Sequence, residues 1–248
     1  MDLGMSSQSR RTETGRSRAR REIGVPMPRV RDPFVNTPLV SLGPGPDGEE
    51  RFWISTWNAC VGTLGVLVTE SGNARQYRFG SPRHGGFYSA VPEDGDTLWL
   101  CGDLSRVVRL TLSTGRFEEF STGAPSALVF QGMVLDPQTG KLFAAAYPYR
   151  SGDRPMAFSF DFRRRKPGKI FADIGSDKYM RFHFPNGDGT FSIIMHIPGE
   201  SLVRWDPGAG KAECIGQFNA HLDVHRASGG TTYRLVGDDR GHWYFPSR

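Results

Sequence analysis

The sequence predicts an all-β fold assembled from repeated four-stranded units, and three observations support this prediction. Glycine and proline number 31 and 17 of the 248 residues, an abundance that favours short strands joined by tight turns. Aromatic residues make up 12% of the chain, which also favours strands. Turn signals recur at intervals of about 40 to 50 residues, with four short apolar segments between them. This periodicity is typical of the blades of a β-propeller.

The clearest repeat covers residues 85–122. It predicts four strands separated by turns, at Phe87–Val91, Thr97–Cys101, Val107–Leu112 and Phe117–Phe120. Two further repeats, at 127–174 and 179–216, show the same order. The aligned first turns are DGDT, PQTG and NGDG, and the aligned last hairpins are STGR, KPGK and GAGK. Glycine and aspartate suit such turns because they tolerate positive φ.

Further repeats lie on both sides of these three. One begins upstream near residue 38, and residues 219–247 supply about three more strands, so we expect about five blades. Either Gly24–Val35 donates the strand that closes the ring, or the chain is a fragment of a larger propeller. The predicted organisation is a disordered Arg/Ser-rich tail at 1–31 and a β-propeller domain at 32–248.

The positive charge of the chain is concentrated in the tail. The formal net charge is +5, and residues 1–31 hold eight arginines against three acidic residues, which leaves the remainder neutral. A segment with so few apolar residues cannot bury a core. A nucleic-acid-binding arm is one interpretation. A solvated, disordered leader is favoured because no aromatic residue interleaves the arginines, and no nucleic-acid partner is expected.

Composition also bears on the compartment and on oligomeric state. The sequence has no run of about 18 apolar residues, so neither a transmembrane helix nor a membrane partner is expected. The N-terminus lacks the apolar region of a secretory signal, which predicts a cytoplasmic protein, or a secreted one if the N-terminus is incomplete. Cys60, Cys101 and Cys214 predict neither a disulfide framework nor a zinc site. A monomer is expected.

Candidate functional residues lie on the predicted first strand of each blade. In a propeller these strands line the central channel, and function is usually found at one mouth of the channel. Histidine, tyrosine and arginine together could remove a proton beside an anionic group, although propellers also fill their channels with polar side chains and water. The basic run Arg163–Lys166 has two interpretations, a solvated turn or an anion clamp.

One stretch resembles a known enzyme family. Residues 83–110, RHGGFYSAVPEDGDTLWLCGDLSRVVRL, followed by a tyrosine and then an arginine, resemble the β-propeller polysaccharide lyases that cleave ulvan. The resemblance covers about residues 80–230 and implies that His84, Tyr149 and Arg165 are catalytic. Arg83, Tyr88, Arg181 and His221 are expected to bind substrate because they lie on or beside predicted first strands, and the resemblance adds Arg226 as a further contact to a carboxylate or sulfate.

The resemblance implies a carbon–oxygen lyase that cleaves a uronic-acid-containing anionic polysaccharide by β-elimination at the channel mouth. An arginine or a protonated histidine would neutralise the uronate carboxylate while a tyrosine or histidine takes the C5 proton. No cofactor is required, and a structural divalent metal is left open. One alternative is a non-catalytic propeller scaffold for ligand or protein binding. Another is a metal-dependent, lactonase-type propeller, for which only Asp223 stands out.

Overall fold

The structure is a computed structural model, and its description covers a defined set of residues. These are residues 39–55, 63–78, 87–102, 106–125, 127–128, 132–148, 154–172, 174, 179–196, 200–218, 236–237 and 243–244. Within these ranges every regular element is a β-strand, and none is a helix long and apolar enough to span a membrane.

Four antiparallel sheets follow one another along the chain, and each has four strands in sequence order. Blade 1 consists of β1 (Val40–Pro44), β2 (Glu50–Ser55), β3 (Thr63–Thr69) and β4 (Ala74–Arg78). Blade 2 consists of β5 (Phe87–Pro92), β6 (Thr97–Gly102), β7 (Arg106–Thr111) and β8 (Phe117–Ser121). Blade 3 consists of β10 (Met133–Asp136), β11 (Lys141–Pro148), β12 (Met156–Asp161) and β13 (Lys166–Ala172). Blade 4 consists of β14 (Tyr179–Pro185), β15 (Phe191–His196), β16 (Glu200–Asp206) and β17 (Lys211–Phe218).

Three short strands complete the described structure. The two-residue strand β9 (Ala127–Leu128) pairs with the end of β11, at Tyr147 and Pro148. The strands β18 (Val236–Gly237) and β19 (Trp243–Tyr244) pair with each other. Gly24–Val35, the predicted source of a closing strand, lies outside the described residues, so closure of the ring stays a prediction.

The hydrophobic core lies between successive blades. One cluster joins blades 1 and 2 around Trp53 and Leu98, a second joins blades 2 and 3 around Trp99 and Phe160, and a third joins blades 3 and 4 around Trp205. The first strands β1, β5, β10 and β14 also contact one another in that order. Each sheet therefore buries its faces against its neighbours, with the first strands on the inner side, as in a propeller.

Most of the predicted turns are confirmed, and one is wrong. DGDT, PQTG and NGDG all lie at or next to the turn between the first two strands of their blades. KPGK was predicted to be the last hairpin of blade 3, but Lys166–Ala172 is strand β13. The turn instead comprises Phe162–Arg165, and Arg165 adopts φ 56° where the equivalent turn of blade 4 has Gly210 at φ 67°.

Candidate ligand-binding groove between two blades

Most of the predicted site residues lie outside what the structure describes. The side chain of Arg181 is among them, although its backbone belongs to β14. Only Tyr88 and Arg165 are described in full. The others outside the described residues are Arg83, His84, Tyr149, His221 and Arg226.

Tyr88 and Arg165 occupy different surroundings. The Tyr88 side chain, on the first strand of blade 2, is 2% exposed, so it packs inside the sheet stack. Arg165 is half-exposed in the last turn of blade 3, and its Nη1 lies 2.9 Å from Oε2 of Glu118 on β8. This ion pair joins the outer parts of blades 2 and 3. Because the arginine already has an acidic partner, its local chemistry is that of an inter-blade tether.

Arg165 lies at the end of blade 3 where the turns after β10 and β12 are found. Lys141 at the start of β11 pairs with Asp161, just before this turn. The chain reaches Tyr149 only after Pro148, at the other end of β11, and a strand of that length spans roughly 23 Å at ~3.3 Å per residue. Arg165 therefore lies near the start of β11, whereas the chain continues to Tyr149 from the other end of that strand. The grouping of Arg165 with Tyr149 and His84 in one pocket stays a prediction.

A groove of about 520 Å³ lies at this same end, between blades 3 and 4. Four turns surround it, those that follow β10, β12, β14 and β16. The residues that line the groove come from these turns and from the strands beside them. They are Asp136, Thr139, Lys141, Phe143, Ser159, Asp161, Arg164, Lys166, Pro167, Gly168, Lys169, Phe171, Gly189, Phe191, Pro207 and Gly208.

The floor of the groove is aromatic and fixed in place. Phe143, Phe171 and Phe191 line it, and each is between 5% and 8% exposed. Their rings pack around Trp205, with centroid distances of 5.8, 4.9 and 5.5 Å respectively. Phe143 and Phe191 also contact each other across the two blades, at 4.9 Å. These contacts leave a rigid apolar surface at the base of the groove, because closely packed rings have little room to turn.

The wall contributed by blade 3 is basic. Lys141, Arg164, Lys166 and Lys169 are all exposed and line the groove. The Nζ atom of Lys169 lies 4.9 Å from the centroid of the Phe171 ring, a cation–π contact. Two carboxylates stand beside these four cations among the described lining residues, which therefore carry an excess of positive charge.

Both carboxylates of the wall are occupied by local hydrogen bonds. Asp136 accepts from the Thr139 hydroxyl at 2.5 Å and from the backbone N–H of Gln138 at 2.9 Å. Partial burial raises the pKa of the Asp136 carboxyl, but these hydrogen bonds, one from the Thr139 backbone and the charge of Lys141 outweigh it, so the pKa lies below its ordinary value. Asp161 accepts from the backbone N–H of Arg164 at 2.8 Å. These hydrogen bonds form the turns, and the two carboxylates also offset part of the positive charge of the wall, since Asp136 interacts with Lys141 and Oδ2 of Asp161 lies 3.9 Å from Nε of Arg164.

A β-bulge explains why Lys166 and Lys169, which are three positions apart on β13, line the same groove. Between the pairs Phe160↔Pro167 and Phe158↔Ile170, strand β13 has one more residue than β12. Side chains alternate faces along a strand, and an extra residue reverses that alternation. Lys166 therefore lines the groove together with Lys169, three residues later.

The bulge requires a residue without a side chain at position 168, and this residue is Gly168. A Cβ atom there would lie 2.3 Å from Oγ of Ser159, closer than any real contact. The hydroxyl of Ser159 accepts a hydrogen bond from the backbone N–H of Lys169 at 2.9 Å. The glycine thus lets β12 and β13 approach closely at the bulge, between Lys166 and Lys169.

The described residues contain no group of three or more His, Cys, Asp or Glu side chains that could hold a metal ion. The ionisable side chains that line the groove are lysine, arginine and aspartate. Such an arrangement can bind an anion beside an apolar group, since it combines fixed positive charge with a preformed apolar surface.

Comparison with known proteins identifies the fold. No protein family matches the sequence, and no curated protein is significantly similar to it. Among solved structures, the RRP9 WD40 repeats and U3-55K align with TM-scores of 0.55 each, at 12% and 11% identity. Each alignment covers 75% of this chain, and this chain spans about half the length of those structures, 52% and 53%.

A third solved structure is also similar. It is an extracellular domain of BT4673 from B. thetaiotaomicron, assigned to a hybrid two component system. It aligns with a TM-score of 0.51 and 18% identity over 85% of this chain and 25% of its own length. At these identities the similarities concern the fold alone. Together with the sequential four-stranded sheets, they show that the chain has the all-β fold of a β-propeller.

Proposed function

We propose that this chain is a non-catalytic propeller scaffold that binds a partner in the groove between blades 3 and 4. The observation that carries the proposal is the combination, in one groove, of a packed aromatic floor and a wall on which four cations outnumber two carboxylates. Lysine and arginine side chains are charged at neutral pH, so several of them together attract an anionic group, whereas they exchange protons poorly. The side chains in this groove therefore suit binding better than general acid–base catalysis.

A selection experiment tests the scaffold function. The full chain, immobilised, is used to select binders from a phage-displayed library of random peptides. We expect the selected peptides to lose at least about tenfold in affinity for a Gly208→Trp variant, because an indole at this lining position would fill the groove. A Cβ at Gly208 would lie 3.1 Å from Oδ1 of Asp206 and near no other atom, so a side chain there requires a small shift of that carboxylate, and an unchanged melting temperature checks that the variant is folded.

Gly216→Trp is the matched control. Gly216 lies on β17 of the same blade, has no atom within 4 Å of its would-be Cβ, and does not line the groove. We expect this variant to bind the selected peptides within about twofold of the parent chain. Peptides that bind the Gly208→Trp variant as well as they bind the parent chain would overturn the proposal.

A parallel assay addresses the polysaccharide lyase that the sequence resembles. Uronate-containing polysaccharides are incubated with the chain and with its His84→Ala variant, and the unsaturated product is followed by its ultraviolet absorbance. The scaffold proposal expects no difference between the two. An absorbance increase that requires His84 would replace the scaffold with the enzyme.

A further inference from the structure

We propose that the occupant of the groove is an extended acidic peptide segment of a partner protein, in which acidic residues alternate with apolar ones. This inference rests on the proposed function and specifies its partner. It begins from the unequal contributions of the two blades. Among the described residues, all four cations that line the groove belong to blade 3, whereas the lining residues of blade 4 are Gly189, Phe191, Pro207 and Gly208.

The groove therefore has one charged side and one apolar side. In an extended peptide, successive side chains point to opposite sides. An alternating sequence would direct its carboxylates toward Lys166 and Lys169 while its apolar side chains meet Pro207 and the phenylalanine floor. Exposed lysines contribute modestly one at a time, so the selectivity comes from several charges that act together.

The aromatic floor favours a peptide over a nucleic acid or a polysaccharide. Bases of single strands bind by stacking on accessible aromatic faces, and Phe143, Phe171 and Phe191 are at most 8% exposed. Stacking of a sugar ring requires an equally open face. A leucine or phenylalanine side chain, in contrast, requires only a shallow apolar depression between rigid neighbours.

The chain's own N-terminal tail is a poor occupant of this groove. Residues 1–31 have eight arginines and three acidic residues, so their charge has the same sign as the basic wall. The negative charge that complements the basic wall must therefore come from another molecule, such as an acidic segment of a partner protein.

The test uses fluorescein-labelled peptides of about eight residues, long enough at ~3.3 Å per residue to span one blade strand. The probe alternates glutamate with leucine and phenylalanine. One control peptide has lysine in place of glutamate, and another has alanine in place of the apolar residues. Fluorescence polarisation with the full chain should show binding of the probe that is at least about tenfold tighter than binding of either control peptide, and that weakens at high salt.

Charge-reversed variants locate the contact. A Lys166→Glu and Lys169→Glu double variant should weaken probe binding by at least about tenfold, since it reverses two neighbouring contacts. The control is an Arg78→Glu and Arg116→Glu double variant, which changes the net charge by the same amount at two exposed positions on blades 1 and 2, and it should leave the affinity within about twofold. Equal loss in both variants would overturn the proposal, because it would reflect net charge and not this groove.

Competitors separate the other classes of ligand. Polygalacturonate oligomers and single-stranded DNA should displace the probe only at concentrations at least about tenfold above those of the unlabelled peptide. Tighter binding of either one would assign the groove to that class instead. If the phage selection yields groove-dependent peptides that are not acidic, this inference fails while the scaffold function stands. If no selected peptide depends on the groove, the scaffold function itself fails.

Discussion

Replacement of Gly168 by alanine tests the strand register that forms the basic wall. The added Cβ would lie 2.3 Å from Oγ of Ser159, 2.9 Å from its carbonyl oxygen and 3.1 Å from its carbonyl carbon. The hydroxyl can rotate away, but the carbonyl belongs to β12 and cannot. Relief of the clash thus requires β13 to move away from β12 at the bulge.

The expected cost follows from two contributions. Overpacking against a backbone atom typically costs about 1–3 kcal/mol. Separation of the strands also stretches the hydrogen bond from the Lys169 N–H to Ser159, now 2.9 Å, and such a bond contributes about 0.5–1.5 kcal/mol. We expect Gly168→Ala to destabilise the chain by about 2–3 kcal/mol, which lowers the melting temperature by roughly 4–12 °C.

Thermal unfolding followed by far-ultraviolet circular dichroism measures this loss. Gly216→Ala is the control, because a Cβ there has no neighbour within 4 Å and the free energy of unfolding should change by less than about 0.5 kcal/mol. Ser159→Ala removes the hydroxyl but leaves the clash with the Ser159 carbonyl and deletes the acceptor of the Lys169 N–H, so adding it to Gly168→Ala should not restore stability. Equal melting temperatures for Gly168→Ala and Gly216→Ala would refute the assigned register.

Three further predictions concern the turns and the interface between blades 1 and 2. Arg165 has φ 56°, a left-handed conformation that glycine adopts more easily than a β-branched residue. In urea titrations the free energy of unfolding of Arg165→Val should therefore be about 1–2 kcal/mol lower than that of Arg165→Gly, and equal values would show that residue 165 is not left-handed. The lowered pKa of Asp136 adds stability that is present above its unfolded value of about 3.9 and is lost as pH falls through the folded value. Asp136→Asn should therefore flatten the acid limb of a stability–pH curve below about pH 4, and an unchanged limb would contradict this. Tyr77 donates to the Leu112 carbonyl at 2.7 Å, so Tyr77→Phe should cost about 1 kcal/mol in the same titrations, whereas a neutral effect would show that the bond is not formed.

The sequence predicted the blades well where local chemistry and tertiary structure agree. In blade 2 the predicted strands match the observed ones within one residue at each end. Its first turn forms because Oδ1 of Asp94 accepts hydrogen bonds from the backbone N–H groups of Asp96 and Thr97, at 2.8 and 2.7 Å. Such a turn depends only on residues next to each other in the chain, so it can be recognised from sequence.

Prediction failed where a distant contact overrides a local preference. Pro167-Gly168 is a strong turn signal, yet both residues belong to β13 because Gly168 is needed for the close approach of Ser159. The turn instead places Arg165 in a left-handed conformation that glycine normally adopts. Neither fact can be read from a pattern of turn residues alone.

The groove shows the same limit. The run Arg163–Lys166 indicated a basic turn, and an anion clamp was one of its two interpretations. The sequence did not indicate that blade 4 supplies an apolar wall opposite, or that the bulge in β13 brings Lys169 to the same side as Lys166. Both depend on the register and stacking of sheets. The proposed lyase residues His84 and Tyr149 lie outside the described residues, so the catalytic hypothesis stays a prediction from sequence.

Photochemical cross-linking tests the central claim most directly, namely that a partner's acidic segment binds between blades 3 and 4. The phenylalanine of the alternating acidic peptide is replaced by its benzophenone analogue, the peptide is irradiated with the full chain, and the adducts are mapped by mass spectrometry. Because the apolar side chains of the peptide meet the floor and blade 4, we predict adducts on Phe171, on Phe191 and on the turn around Pro207, all of which line the groove, and their loss in the Gly208→Trp variant. Adducts concentrated on other blades, or unchanged in that variant, would contradict the claim.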